Sequence, residues 1–137
     1  MRRHVFVGVA GISLMLATAP LGAHHAFSAE FDSEKPVKLE GTVTKTEWIN
    51  PHAWIHIEVK RPDGKTEEWM IEGGTPNTLM RRGISRDTLK VGTAIVVTGY
   101  QAKDGSLRAN GRDLTYPDGR KLLLSSPGTS APDAPEK

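Results

Sequence analysis

The chain has 137 residues, with 18 basic and 16 acidic side chains, five histidines and no cysteine. That length suits one domain. The lack of cysteine excludes disulfides, thiolate metal sites, a cysteine nucleophile and acyl anchoring through a lipidated cysteine.

Arg2, Arg3 and His4 precede a mostly apolar run from Val5 to Ala17, and a small-residue zone follows to Ala23. A basic start, an apolar middle and a small-residue end mark a secretory signal. The expected cut follows Ala23, with Leu21 at −3. Cutting after Ala19 would suit small-x-small spacing better, but it puts Pro20 next in line. The apolar run is shorter than the roughly 20 residues a membrane span needs, and glycines break it. Residues 1–23 are therefore expected to be a signal peptide, and the mature protein to be periplasmic or secreted and not membrane-anchored. Arg2-Arg3 resembles a twin-arginine start, but the residues around it fit ordinary export better. The cut would remove two basic residues and no acidic ones, leaving 16 of each and a formal charge of zero. Nonspecific nucleic-acid binding needs a basic surplus, so no nucleic-acid partner is expected.

Residues 24–36 have no clear period and read as an extended N-terminal segment carrying Phe27 and Phe31. From Val37 to Thr46 the pattern alternates, with Leu39, Gly41 and Val43 on one face, which predicts the first strand. Asn50-Pro51 signals a turn. Ala53 to Lys60 alternates again, with Ile55 and Ile57 on one face and Trp54 and His56 on the other. Arg61-Pro62-Asp63-Gly64 is a hairpin turn. Glu67 to Glu72 is the third strand, with Trp69 and Ile71 as its inner pair. Thr75 to Gly83 predicts a short helix, with Thr75 as its cap, Pro76 in the first turn and Gly83 as its stop. Thr93 to Ala102 and Leu107 to Thr115 are the fourth and fifth strands, joined by Lys103-Asp104-Gly105-Ser106. Asp118-Gly119 is a further turn before Leu122-Leu123-Leu124. Residues 125–137 are rich in Ser, Pro, Gly, Ala and charge, and are expected to form a disordered tail.

Three strands, a short helix and two more strands define the expected fold. It is all-β, a small five-stranded OB-like barrel over residues 37–124 with one short helix between strands 3 and 4. A small two-layer sandwich is the alternative.

The chemistry rests on histidines. A cut after Ala23 would give His24 both a free α-amine and an imidazole, a natural chelate, and His25 would add a second ring. Such nitrogens suit Cu(II), Ni(II) and Zn(II), with copper the tightest binder of the divalent series. His52 lies in the Asn50-Pro51 turn, within reach of the N-terminal segment. The expected metal ligands are thus His24, His25 and His52, with copper, or else zinc, as the cofactor. The other reading is two polar residues on a loose start and a turn histidine bonded to backbone. On a strand His52 and His56 would be about 13 Å apart, too far to share an ion. Trp54 and His56 are the expected ligand-binding pair of a metal-free alternative, an OB-like interaction module for a glycan, a peptide or a periplasmic partner protein. In a competing reading Phe27 and Phe31 simply cover Trp54. Glu67, Glu68 and Glu72 read as a solvated face. No phosphate loop and no catalytic set is present, so an enzyme is not the favoured reading.

Ala23-His24-His25-Ala26-Phe27, Glu30-Phe31-Asp32, Glu47-Trp48-Ile49-Asn50-Pro51-His52, Asn77 to Gly83, Lys103 to Ser106 and Asp118-Gly119-Arg120 together resemble a family of small exported bacterial proteins of unknown function. The likeness spans about Ala23 to Leu124. In that family a Trp commonly follows the Arg-Gly pair, whereas this chain has Ile84. The resemblance implies that His24, His25 and His52 are motif positions, and it brings no activity with it.

Overall fold

A computed structural model describes residues 27–126. After one helical turn at residues 27–30, six strands and a short helix follow in order: β1 (Phe31–Glu47), β2 (Trp54–Lys60), β3 (Thr66–Glu72), α1 (Pro76–Arg81), β4 (Ala94–Ala102), β5 (Arg108–Thr115) and β6 (Lys121–Leu123). The hydrogen-bonded order is β3-β2-β1-β4-β5-β6, and β3 also pairs with β5. That last pairing is parallel, Met70 with Arg108, Ile71 with Ala109 and Glu72 with Asn110. It closes strands one to five into a ring, so the fold is all-β with the OB-like order expected from the sequence.

The alternating pattern explains which side of each strand turns inward. Ile55 and Ile57 on β2 are fully buried, as are Val43, Ile71, Val97 and Leu114 from the neighbouring strands. Trp69 joins them at 6% exposure. Each such aliphatic side chain contributes roughly 1.5–3 kcal/mol by leaving water. Leu79 of α1, followed by Ile84 and Leu89, adds three fully or almost fully buried side chains to this core. Ile84 therefore fills the position where the resembling family has Trp with core packing. The helix starts where the sequence says it should: the Thr75 hydroxyl accepts from the Thr78 amide at 3.3 Å, and Pro76 occupies the first turn. Gly83, at φ +91°, takes the left-handed turn that stops it. On β5, a Cβ on Gly111 would fall 2.4 Å from Leu124 Cδ2 and 2.8 Å from Ile71 Cγ2, so only glycine lets β5 and β3 close so tightly.

Three features differ from the sequence-based expectation. The first strand begins at Phe31, not Val37. Phe31 pairs with Ala102 and Pro36 with Tyr100, with a register shift between them that hides the strand period and accommodates a proline. A sixth strand, β6, adds to the outer edge of β5 through Asp113–Leu123, Leu114–Leu122 and Thr115–Lys121. Ser125 and Ser126 are buried, not part of a loose tail. Arg82 donates to the Leu123 carbonyl at 3.1 Å and to the Ser125 carbonyl, and the Ser126 hydroxyl accepts from the Thr75 amide at 3.1 Å. The signal-peptide reading and the remainder of the expected tail, 127–137, lie outside the described residues.

Candidate functional site

His52 stands at the end of the loop joining β1 to β2. The loop contains a cis Asn50–Pro51 peptide bond. Its far end is pinned: the Ala53 amide donates to the Gly74 carbonyl at 2.9 Å, and the Gly73 amide donates to Ala53 at 2.8 Å. These bonds fix His52 beside the last residue of β3, Glu72. Nδ1 of His52 lies directly against Oε1 of Glu72. The imidazole keeps 26% of its side-chain surface, whereas the carboxyl keeps only 7%. His52 Nε2 has no partner among the described residues.

Cross-strand register explains the position of Glu72. Directly opposed residues share a face, and Glu72 is opposed by Trp54 on β2 and Asn110 on β5. All three lie on the side of the ring opposite Ile55 and Ile71. Burial pushes the Glu72 carboxyl up to about 7, with the negative charge of Glu30 adding to the rise and Arg108 opposing it. Burial also lowers the His52 pKa below its usual value, with Glu30 acting the other way. Burial thus disfavours the charged form of both partners.

The chain just before β1 packs onto the same face. Residues 27–30 form one helical turn. Phe27 and Phe31 are both 3% exposed and form a small cluster of their own with Ala102 and Tyr100. Phe27 meets Tyr100 edge-on at 5.8 Å. The Lys103 amide donates to the Glu30 carbonyl at 2.9 Å, and the Lys103 ammonium donates to the Ser28 carbonyl. The Arg108 guanidinium pairs with Glu30 at 2.8 Å and lies over the rings of Phe31 (5.9 Å) and Trp54 (5.6 Å). Trp54 is half-buried. The two phenylalanines pack on β4, and it is Arg108 that bridges Phe31 and Trp54.

His56 belongs to a different cluster. Its Nε2 is 2.8 Å from Glu47 Oε2 and its Nδ1 is 3.8 Å from Glu68 Oε1, and the side chain is 12% exposed. The hydrogen bond to His56 is the main influence holding the Glu47 carboxyl below its ordinary value, with Lys45 adding to it. Thr44 donates to Glu68 at 3.1 Å. Both ring nitrogens of His56 therefore face carboxylates of neighbouring strands.

His24 and His25 lie outside the described residues, so of the three expected metal ligands only His52 has a described environment. Among the described residues, no three His, Asp or Glu side chains converge to hold a metal ion. The sequence does not point to Glu72 and Glu30 as neighbours of His52: Glu72 reads as part of a solvated face, and Glu30 only as part of a motif. The alternation of β3 puts Glu72 on the outer side with Met70 and Glu68. Only its pairing with β5 and the packing of residues 27–31 over that face take it out of water.

The chain is thus a small, cysteine-free all-β protein whose five main strands close in an OB-like ring. It belongs to a family of unknown function, DUF6152, which it matches over residues 12–111. Comparison with curated proteins and with solved structures finds no match.

Proposed function

We propose that this is an exported small binding protein that holds a divalent metal, copper in preference to zinc, through His24, His25 and His52. The observation that carries the reading is the clasp on residues 27–31. Phe27 on Tyr100, Glu30 on Arg108 and Lys103 on two backbone carbonyls tie the start of the described chain to the face that bears His52. Two residues separate His24 from Phe27, so three steps of chain span at most about 10 Å. Cleavage after Ala23 would then leave an amine and two imidazoles just ahead of this clasp, and His52 Nε2 has no partner among the described residues. Amine and imidazole nitrogens are the donor set that favours copper.

The test is to express the chain with its own leader, confirm His24 as the first residue by intact mass, and measure metal content and Cu(II) affinity. Bound copper that is lost in His24→Ala and His25→Ala variants is the expected result. A processed protein whose copper binding is weak and unchanged in both variants overturns the proposal. The placement matters, because a retained methionine would move the amine away from the ring.

The metal-free alternative keeps one supporting observation, the half-buried Trp54 with Arg108 stacked over it, which resembles a surface for a glycan, a peptide or a partner protein. In that reading His56 would bind through its ring face or Nδ1, since its Nε2 is already bonded to Glu47. Quenching of tryptophan fluorescence by such a ligand, lost in Trp54→Ala, is the result that would favour it.

A further inference from the structure

We infer that Glu72 is the positioning residue of this site: its buried carboxyl against His52 Nδ1 commits the ring to present Nε2 to a bound metal. The inference rests on the metal-binding reading above and adds to it a residue that the histidine pattern does not contain. An imidazole binds a metal through one nitrogen, and the partner of its other nitrogen sets the tautomer and the ring's orientation. Here the other nitrogen is Nδ1 and the partner is Oε1 of Glu72.

Three observations point to this role over a purely structural one. Glu72 is 6% exposed, and burying a carboxyl is costly unless its partner repays it. Arg108 forms its ion pair with Glu30 at 2.8 Å, whereas the ion-pair contact of Glu72 is with His52. The loop end that carries His52 is fixed by backbone bonds to Gly73 and Gly74, immediately after Glu72 in the chain. Ring and carboxyl are therefore held by neighbouring, rigid pieces of backbone. Glu72 acts through His52, since its nearer oxygen faces the ring.

The experiment uses correctly processed protein and Cu(II) alone as the probe, with affinity measured by competition titration and the ligand field by paramagnetic resonance. Glu72→Gln keeps the size of the side chain and removes its charge. The expected result is a 10- to 100-fold loss of copper affinity, the usual effect of removing such a supporting partner, together with a changed resonance spectrum. Glu72→Asp, which keeps the charge, should recover part of the affinity and also serves if the Gln variant fails to fold. In a His52→Ala background the Gln substitution should cost nothing further. Wild-type affinity in Glu72→Gln, or an equal loss with and without His52, overturns the inference while leaving the metal site standing. Processed wild-type protein that binds copper no better than His24→Ala overturns the metal-binding reading and the inference together.

Discussion

His52 and His56 are four residues apart, on either side of the start of β2, and each meets a glutamate. Their surroundings differ in every respect that matters for binding. His56 lies across the strands between Glu47 and Glu68, both of which remain partly in water, and both its nitrogens face acceptors. His52 meets a single, buried carboxyl through Nδ1 and leaves Nε2 without a partner among the described residues. A histidine bonded to one surface carboxylate and lying near a second is a cross-strand tie. A histidine gripped on one nitrogen by a buried carboxyl has the arrangement that the proposed metal site calls for. The contrast comes from the strand pairing: β3 ends at Glu72 against β5 and beneath residues 27–31, whereas Glu68, four residues earlier, sits where β3 pairs with β2 alone.

The largest expected effect separates the two histidines directly. If the proposed site holds, His52→Ala should lower the copper affinity of processed protein by on the order of a hundredfold, since it would remove a ligand itself and not merely a supporting partner. His56→Ala should leave that affinity within about twofold, a margin inside ordinary context effects. Isothermal titration of both variants checks this.

A second difference concerns the metal-free protein. The Glu72 pKa is raised from 4.5 to about 7. Between those values the folded state holds a proton that the unfolded state has released, so stability falls as pH rises through that window and the full cost applies above about 7. The shift corresponds to about 3 kcal/mol, reduced by about 1 for the contact with His52. Glu72→Gln should therefore raise the stability of the metal-free protein at pH 8 by about 2 kcal/mol, read as a higher urea midpoint. Glu47→Gln, at a carboxyl open to water, should not shift the midpoint measurably.

The pH profile sharpens the same point. His52 contributes in the opposite direction: its lowered pKa means that the folded state sheds a proton that the unfolded state keeps, so its cost appears below the ordinary histidine value and fades as pH climbs. Urea midpoints measured from pH 4.5 to 8 should show wild type losing stability relative to Glu72→Gln between about 4.5 and 7, with a constant difference above that. Parallel curves for the two proteins would refute the burial of Glu72.

The smallest expected effect belongs to the clasp. Arg108→Ala breaks a partly exposed ion pair with Glu30, and such pairs contribute about 0–1 kcal/mol. Global stability should hardly change. The amide of Lys103, which bonds to the Glu30 carbonyl, should exchange with solvent faster.

Much of the frame could be read from residue order. The period-two runs at Ile55–Ile57 and Trp69–Ile71, the cap at Thr75 and the turn glycines lie within one or two residues of the observed elements, and the sequence of three strands, helix and two strands implied the ring. The start of β1 could not be read, because the register shift between Phe31 and Pro36 erases the alternation. β6 is three residues long and depends wholly on β5 for its pairing. Of the candidate site, His52 stood out through its turn, but Glu72 did not. A glutamate at the end of a strand looks solvated until a distant strand and the N-terminal segment cover it, and both contacts are long-range. The same holds for Ser125 and Ser126, whose polar composition suggests a tail but whose partners are Arg82 and Thr75.

The most direct test of the difference between the two histidines is paramagnetic resonance of Cu(II) bound to processed wild-type, His52→Ala and His56→Ala proteins. The account predicts a wild-type spectrum with nitrogen ligands that changes in His52→Ala and is retained in His56→Ala. An identical spectrum from wild type and His52→Ala, or a change only in His56→Ala, would contradict it.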